Sequence, residues 1–281
     1  MENLNIISTV IFQFENHLRM EEKSQNTIDK YIHDVKAFAH YLGDREISKQ
    51  EAIAYKKHLQ NSSYAVRSIN AALASLNSFF AFIGQRDCTL KSIKLQRQLY
   101  CAEEKELTKA EYARLCSAAD KKGNRRLNLL LQTICATGIR VSELQFITVD
   151  AVEKGEATVS LKGKTRTVFL VKDLRKKLQR YIAQQKIKEG PVFVTRTGKA
   201  LSRTNIWREM KNLCRQAQVD PQKVFPHNLR HLFARTFYAI EKDIAKLADI
   251  LGHASINTTR IYIITTANEH RRRMENMCLI I

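Results

Sequence analysis

The first third of the chain shows apolar residues at helical spacing. Between residues 24 and 42 they recur at i, i+3, i+4 and i+7, and a glycine follows as a stop signal. Ser48-Lys49-Gln50-Glu51 is a capping box, which predicts the start of a further helix. Similar patterns predict helices over 10–18 and 63–83. Because no strand pattern interrupts them, we predict a small helical bundle over residues 1–86.

Residues 87–105 lose this periodicity, and we interpret them as a linker. A second capping box at 108–111 and an apolar run at 127–136 predict helices, the latter buried and ending at Gly138. Alternating β-branched residues predict two strands, 157–161 and 165–170, joined by the turn Lys162-Gly163-Lys164. The other predicted elements are helices over 173–186, 202–218 and 243–251, a helix beginning near His227, and a short strand over 191–195. The whole pattern predicts a mainly α fold with a small β-sheet, α+β, in which a mixed domain covers residues 106–281.

The charge of the chain is strongly basic and unevenly distributed. Residues 1–104 hold 13 Lys and Arg against 12 Asp and Glu, a net +1, out of +19 for the chain. Residues 105–281 hold the remaining 34 against 16, a net +18. This distribution favours a polyanionic partner such as DNA for the second part. RNA-binding proteins, membrane-surface proteins and basic proteins without a defined partner share such a balance.

Other classes of protein are disfavoured. The sequence has no run of ~18 apolar residues that would predict a membrane span, and no basic region before an apolar run as in a secretory signal. Its six cysteines are scattered without a C-x-x-C pair. Disulfides and zinc are therefore not expected, and a reducing cytoplasm fits the chain.

Candidate chemistry is scattered over the second part of the chain. In chain order the candidates are Arg140, Lys162, His227, Arg230, His253 and Tyr262. Taken alone, each has a simpler explanation: a tyrosine between isoleucines is usually a core aromatic, and a lysine in a hairpin turn is usually a surface residue. His227 and His231 also have the spacing of a helical zinc pair, but Asn228 stands where the metalloprotease motif has Glu.

One reaction that residues of these types can perform together is transfer of a phosphodiester. Its transition state gathers charge on the non-bridging oxygens, which Arg140 and Arg230 can bind through charge-assisted hydrogen bonds. Arginine stays charged at any working pH, so neither a metal nor another cofactor is required. Glu143, three residues after Arg140, can hold that guanidinium in place.

A side-chain oxygen must then act as the nucleophile. A free tyrosine has a pKa of about 10, so Tyr262 needs help from cations or a base, and His227 can accept its proton. His253 can donate a hydrogen bond to the phosphate. The leaving 5′ oxygen needs a proton, and a lysine of the hairpin turn, Lys162 or Lys164, can deliver it.

The joint order of these motifs resembles the tyrosine recombinase (phage integrase) family, including its Xer and mobile-element integrases. The resemblance covers about residues 105–281. Its motifs are Ala-Thr-Gly-Ile-Arg-Val-Ser-Glu-Leu at 136–144, Lys-Gly-Lys at 162–164, Pro-His-Asn-Leu-Arg-His at 226–231 and Leu-Gly-His…Thr-Thr-Arg-Ile-Tyr at 251–262. It implies catalytic roles for the six candidates, with Lys162 favoured as the acid because it directly precedes the glycine of the turn. Asn228, where the family often has Asp, and Leu232, where it often has Thr, depart from the pattern at positions that are not catalytic.

The resemblance also implies an architecture and partners. A helical, SAM-like core-binding domain and a catalytic domain would form a C-shaped clamp on double-stranded DNA. The protein would act as a homo-tetramer on two DNA sites, with its C-terminal tail docked on a neighbouring protomer, to integrate or excise a mobile element or to resolve DNA dimers. Basic residues expected to face DNA are Lys56, Lys57 and Arg67 in the first domain and Lys164, Arg203, Arg208 and Lys211 in the second. A type IB topoisomerase-like enzyme and a DNA-binding accessory protein with a vestigial site are the alternatives.

Overall fold

The computed structural model describes residues 2–94, 106–161, 164–195, 197–262 and 274–277. The chain divides into two compact units, residues 1–97 and 98–281. Within the described residues no helix is long and apolar enough to cross a membrane. The prediction of a mainly helical fold with a small sheet is confirmed.

The first unit is an all-helical bundle. Its helices are α1 (Glu2–Met20), α2 (Gln25–Leu42), α3 (Lys49–Asn61) and α4 (Val66–Phe82), followed by a 3-10 helix at Arg86–Cys88. Aromatic side chains fill the core, where Phe14 meets Phe79 edge-on at 5.3 Å between ring centroids and Phe38 meets Phe80 at 5.7 Å. Half of the capping box predicted for α3 forms, because Ser48 accepts from the Glu51 amide while the Glu51 carboxylate pairs with Arg45.

Residues 88–93, which we assigned to a linker, pack against the first unit. Asn77 on α4 pairs with the backbone of Leu90, accepting from its N–H at 2.8 Å and donating to its carbonyl at 2.9 Å. Asn70, two turns earlier on α4, pairs in the same way with Ile93, at 2.8 and 2.9 Å. Leu90 is buried in the core of the bundle. The domain boundaries at 86 and 105 stay a prediction.

The second unit surrounds a larger core. In chain order it contains α5 (Lys109–Lys121), α6 (Arg125–Thr137), a 3-10 helix (Val141–Phe146), α7 (Val149–Lys154), β1 (Glu156–Leu161), β2 (Lys164–Phe169), α8 (Lys172–Gln185), α9 (Arg203–Lys211), α10 (Cys214–Ala217), a 3-10 helix (Pro221–Lys223), α11 (Pro226–Glu241), α12 (Ile244–Leu251) and α13 (Ile256–Arg260). The strands form an antiparallel hairpin in which Leu161 is opposite Lys164 and Val159 is opposite Arg166. Buried α6 packs against α5, α8 and α11, and its eight buried residues confirm that it is a core helix.

Two predicted elements of this unit are wrong. Residues 191–195 form isolated bridges, Thr148 with Pro191 and Val194 with Ala200, in place of a strand. The helix predicted over 202–218 is divided between α9 and α10. At the division the carbonyl of Asn212 accepts a hydrogen bond from Lys122 on α5 at 2.6 Å. In a continuous helix this carbonyl would accept a hydrogen bond from a backbone N–H one turn later. Here the Lys122 ammonium group is its donor.

Candidate active site

Arg140 is brought to the site by the end of α6. The helix stops at Gly138, whose left-handed backbone (φ +64°) turns the chain, and Arg140 precedes the 3-10 helix Val141–Phe146. Its Nη1 donates to Glu143 Oε1 at 2.7 Å, and its backbone N–H donates to Glu143 Oε2 at 2.9 Å. The carboxylate therefore holds both ends of Arg140, while about a third of the side chain (36%) remains exposed.

Arg166 on β2 binds the same carboxylate. Its Nη2 donates to Glu143 Oε2 at 2.6 Å, and its Nη1 donates to the carbonyl of Ile250 at 2.8 Å. Burial by itself would raise the pKa of Glu143, but bonds from the Arg140 backbone and guanidinium and the charge of Arg166 hold this pKa below its usual value. We did not single out Arg166 from the sequence. Its position on β2, two residues beyond the hairpin lysines, was the available signal.

Arg230 lies at the centre of the site and is only 1% exposed. Its guanidinium donates to the carbonyl of Gly138 and, from Nη2, to the carbonyl of Leu251 at 2.7 Å. The Nε atom has no hydrogen-bond partner among the described residues. Burial, then the nearby charge of Arg140, lowers the pKa of Arg230 to about 10, so it stays charged at neutral pH.

His253 follows the left-handed glycine that ends α12. Its Nε2 lies 3.0 Å from Nη2 of Arg230, and its Nδ1 lies 2.8 Å from the hydroxyl of Thr259. Burial and then the charge of Arg230 lower the pKa of His253 to about 4. The imidazole is therefore neutral at physiological pH. We also did not single out Thr259, which is fully buried on α13.

Tyr262 is buried (4% exposed) among three histidine rings of the same chain. Its ring centroid is 4.3 Å from that of His231, 5.5 Å from that of His253, to which it is nearly parallel, and 5.8 Å from that of His227. The phenol oxygen lies 3.4 Å from Nε2 of His227. The phenol of Tyr262 raises the pKa of Arg230, but burial lowers this pKa by a larger amount.

His227 and His231 lie on one face of α11 with their ring centroids 4.9 Å apart. Burial, and then the charges of Arg230 and Arg140, lower the pKa of His227. Burial and the neighbouring His227 lower that of His231 to about 4. Both rings contact Tyr262. His231 was considered from the sequence only as half of a zinc pair.

A basic cleft opens beside these residues. It has a volume of about 520 Å³, and its lining includes Arg140, His227, Arg230, Arg203 and the half-exposed Trp207. Arg203 and Thr204 come from the first turn of α9, whose N-terminus is capped by Ser202. Arg140, Arg203 and Arg230, which we selected from separate parts of the sequence, therefore line one cleft.

The other predicted residues have varied surroundings. Arg208 of α9 is exposed, whereas Lys211 donates to the carbonyl of Pro221 and lies 5.1 Å from the Trp207 ring centroid. In the first unit Lys57 and Arg67 are exposed, and Lys56 donates to the carbonyl of Lys91 at 2.6 Å. Lys162 lies outside the described residues. Lys164 begins β2.

Comparisons with known proteins agree with this arrangement. A model of the phage integrase family matches residues 105–269, and a model of the phage integrase N-terminal SAM-like domain matches residues 11–87. The chain is similar to a tyrosine recombinase XerA of Thermococcus kodakarensis, with 31% identity over 280 residues that cover 96% of each chain.

Solved structures with the same fold include two integrases bound to DNA. The Tn1549 transposon integrase in complex with transposon right end DNA has a TM-score of 0.75 at 17% identity, covering 96% of this chain and 99% of that one. A lambda integrase tetramer bound to a Holliday junction has a TM-score of 0.73 at 18% identity, covering 91% and 76%.

The fold and these matches define the class of protein as the tyrosine recombinases, which are enzymes that transfer DNA strands. The family model covers more than half of the chain, and the Thermococcus relative exceeds 30% identity over nearly its whole length. The chain belongs to the phage integrase family, and its function is site-specific DNA recombination.

Proposed function

We propose that this recombinase cuts and rejoins duplex DNA through a 3′-phosphotyrosyl bond to Tyr262. One observation carries the proposal: the phenol oxygen lies 3.4 Å from a histidine nitrogen, in a cluster that also contains the buried guanidinium of Arg230. A buried tyrosine hydroxyl usually has a single hydrogen-bond partner. Tyr262 instead has three histidine rings packed around its ring, and its phenol interacts with the charge of Arg230.

In the proposed first step the Tyr262 oxygen attacks the DNA phosphorus. A Tyr–O–P bond forms, the bond from phosphorus to the 5′ oxygen breaks, and the phenol proton passes to Nε2 of His227. A depressed pKa keeps the imidazole of His227 neutral at neutral pH, and in the tautomer with its proton on Nδ1 the Nε2 atom can accept the phenol proton. Arg140 and Arg230 bind the non-bridging oxygens, and loss of one such donor typically reduces the rate by about 10²–10³.

The departing 5′ oxygen takes a proton from a lysine of the hairpin turn. We propose Lys162 for this role, with Lys164 as the neighbouring alternative. The phosphotyrosyl bond conserves the energy of the broken phosphodiester. A 5′-hydroxyl of a second DNA strand can therefore attack the phosphorus and release the phenol without ATP.

We propose that DNA binds in the basic cleft of the second unit, and that the exposed Lys57 and Arg67 of the first unit also contact DNA. The net charge of +18 over residues 105–281 supports attraction of DNA to the second unit. Because the family acts on DNA, we propose that the reaction takes place in the cytoplasm.

The working assembly is proposed to be a homo-tetramer on two DNA sites. An apolar groove of about 550 Å³ between α5, α6 and α11 supports contact between protomers. Tyr112, Phe233, Phe237 and Ile240 contribute to its lining, and Ile240 is 77% exposed. The apolar C-terminal sequence Met277–Ile281 of a neighbouring protomer has the composition to fill it. Met277, the residue of this sequence that the structure describes, is exposed.

The test uses a nicked suicide duplex that carries a site first selected from a randomised DNA pool. The wild-type chain should form a covalent adduct on the 3′ side of the cut, and Tyr262→Phe should form none. Tyr238→Phe, a matched variant on α11, should react as the wild type does. An adduct on Tyr262→Phe would refute the nucleophile. If the wild type forms no adduct on a bound site, the accessory-protein alternative gains. If it forms adducts but no Holliday junction, relaxation of topoisomerase type is favoured.

A further inference from the structure

Helix α8 carries a row of cations on its outer face. Its apolar side, which includes Leu174 and Leu178, is buried in the core of the second unit. Lys172, Lys176 and Arg180, here called the α8 stripe, are exposed and follow one another at i, i+4 and i+8. Residues four apart share a helix face, so the stripe extends over about 12 Å of the helix axis.

A large share of the charge of the second unit lies on and just after this helix. Residues 172–188 hold seven Lys and Arg against one Asp, a net +6 of the +18 over residues 105–281. No residue of α8 lines the basic cleft, which is formed by residues that follow α6 and by residues of α9 and α11. At least a third of the excess positive charge therefore lies outside the cleft.

The cations of the α8 stripe have no counter-charge in the part of the chain that the structure describes. None of the three forms an ion pair with a described carboxylate, whereas the exposed Lys154 binds Asp150, four residues earlier, at 2.9 Å. Like charges at i, i+4 destabilise a helix, so the stripe by itself weakens α8. A bound polyanion would remove this repulsion.

The α8 stripe leads away from the cleft. Helices α6 and α8 lie side by side in opposite directions, since Lys177 donates to Gln132 at 2.7 Å and the later Gln184 accepts from the earlier Arg125 at 2.5 Å. Arg125 begins α6, and Arg140 follows the other end of that helix, about 20 Å away along its axis. The C-terminal part of α8 therefore lies beside the end of α6 that is remote from the cleft.

We propose that the α8 stripe is a second, non-catalytic DNA-binding surface, which binds the backbone of a second duplex while the cleft holds the first. The inference rests on the proposed binding of DNA in the cleft. Each strand of a duplex presents one phosphate per about 3.4 Å of axis, so the stripe is long enough to face about three phosphates. With two surfaces, one protomer can pass directly from one DNA segment to another.

Other anionic partners fit this surface less well. Sites for single-stranded nucleic acid carry aromatic rings on which bases stack, and the exposed positions of α8 have none. A helix that lies on a membrane inserts its apolar face, but the apolar face of α8 is buried. Phe169 and Val171, which precede the helix, are exposed and could contact a membrane, so vesicles are included in the test.

Two triple variants separate the α8 stripe from the overall charge of the chain. The stripe variant replaces its three cations: Lys172→Gln, Lys176→Gln and Arg180→Gln. The control variant removes the same charge from exposed positions of the second unit that do not line the cleft: Lys154→Gln, Arg215→Gln and Lys246→Gln. For the first experiment these variants and the reference chain also carry Tyr262→Phe, so that binding is measured without strand cleavage.

The first experiment measures how fast a labelled site duplex leaves the full chain as unlabelled duplex DNA of random sequence is added in increasing excess. With a single surface, the dissociation rate does not depend on the competitor concentration. With two surfaces, the competitor binds before the first duplex leaves. The rate should therefore rise with competitor for the reference chain and the control variant, and stay constant within about twofold for the stripe variant.

A constant rate for the reference chain, or an equal rise in the stripe variant, would overturn the proposal. If the chain forms no complex with a site duplex, the proposed function fails together with this inference. A stable complex whose dissociation rate ignores the competitor overturns this inference alone.

The second experiment uses chains that retain Tyr262 and are trapped as covalent adducts on the suicide duplex, so that the cleft is occupied. Binding of a second, labelled duplex is then measured over a range of salt concentrations. Each phosphate contact contributes about −0.9 to the slope of log K against log salt, so the stripe variant should have a slope shallower by about 2.7 than the control variant. The yield of adduct should be the same in both variants.

Equal slopes in the two variants would overturn the proposal. A loss of adduct in the stripe variant alone would place the α8 stripe on the DNA of the cleft, which also contradicts it. Single-stranded DNA and vesicles of mixed phosphatidylcholine and phosphatidylserine are tested on the same adducts. Binding of either of these through the stripe in place of duplex DNA would assign the surface to another partner and overturn the proposal.

Discussion

Glu143 and Arg166 form an ion pair of 2.6 Å that ties strand β2 to the loop carrying Arg140. Both side chains are largely buried, at 2% and 13% exposure. The other oxygen of Glu143 binds Arg140 at 2.7 Å, so one carboxylate lies between two guanidinium groups. This negative charge allows two cations to lie close together before any phosphate is present.

Glu143→Gln is expected to slow cleavage by about 10–100-fold while the fold is retained, because one guanidinium would then face an amide N–H₂. Glu143→Ala should also reduce the free energy of unfolding, by on the order of 3 kcal/mol, because Arg166 would remain buried without its counter-charge. Urea unfolding and adduct formation measure the two effects.

Glu209→Gln is the matched control for that pair. Glu209 binds Arg126 at 2.7 Å in the same unit, but the two side chains are 28% and 25% exposed. Its loss should cost less than about 1 kcal/mol and leave cleavage unchanged. Equal effects of the two glutamine variants would contradict a special role for Glu143.

Gly138→Ala is predicted to affect both stability and cleavage. The residue has φ +64°, and an added Cβ would lie 2.5 Å from Phe233 Cδ1 and 2.9 Å from Leu251 Cδ2. Gly155→Ala supplies the control, since its φ is +84° but the nearest atom would be 3.5 Å away, on Arg175. Both variants carry the cost of a left-handed alanine, about 1 kcal/mol. Gly138→Ala should lose a further ~1–3 kcal/mol from overpacking. Unfolding midpoints in urea that coincide for the two variants would contradict the predicted clash.

Elements with local signals could be predicted from the sequence. The periodic apolar face of α2 and the Thr108–Glu111 capping box of α5 involve residues within a few positions of one another, and both are observed. At the division between α9 and α10, the Asn212 carbonyl accepts a hydrogen bond from Lys122, which is 90 residues away in the chain. The pattern of hydrophobic residues along the chain does not predict a contact between residues so far apart in the sequence.

The sequence singled out most residues of the candidate site but not the contacts between them. Arg140, Arg230 and Tyr262 were singled out because their motifs, in this order, resemble those of the tyrosine recombinase family. Arg166 was missed because alternation along β2 shows only that its side chain shares a face with Val168. The contact of His253 with Arg230, 23 residues earlier, depends on the packing of α11 against α12.

The second unit should lose stability in mild acid. His231 and His253 have folded pKa values of about 4, whereas unfolded histidine has a pKa of about 6.5. Between these values the unfolded chain binds more protons than the folded chain, so the free energy of unfolding should fall as the pH falls from about 6.5 to 4. Trp207 is the single tryptophan, and its fluorescence reports on unfolding of this unit.

His231→Phe removes one of the titrating groups and keeps a ring against Tyr262. It should therefore make the pH dependence shallower, while His40→Gln, a change at an exposed residue of the first unit, should not alter it. An unchanged slope in His231→Phe would show that this histidine is not neutral when the protein is folded.

The paired asparagines of α4 should protect two amides separately. Asn77 accepts the N–H of Leu90, and Asn70 accepts that of Ile93, each at 2.8 Å. Loss of such a bond to a buried backbone group costs about 1–3 kcal/mol. Since 1.4 kcal/mol is a factor of ten, Asn77→Ala should speed hydrogen exchange at the Leu90 amide by roughly 10–100-fold.

The Ile93 amide should keep most of its protection in Asn77→Ala, because Asn70 still binds it. Asn70→Ala should give the reverse pattern. Asn61→Ala, at the exposed end of α3, should change neither amide. If either single variant deprotects both amides equally, residues 90–93 leave the bundle as one unit. The two asparagines then act as a single cooperative attachment for the chain that leads into the second unit.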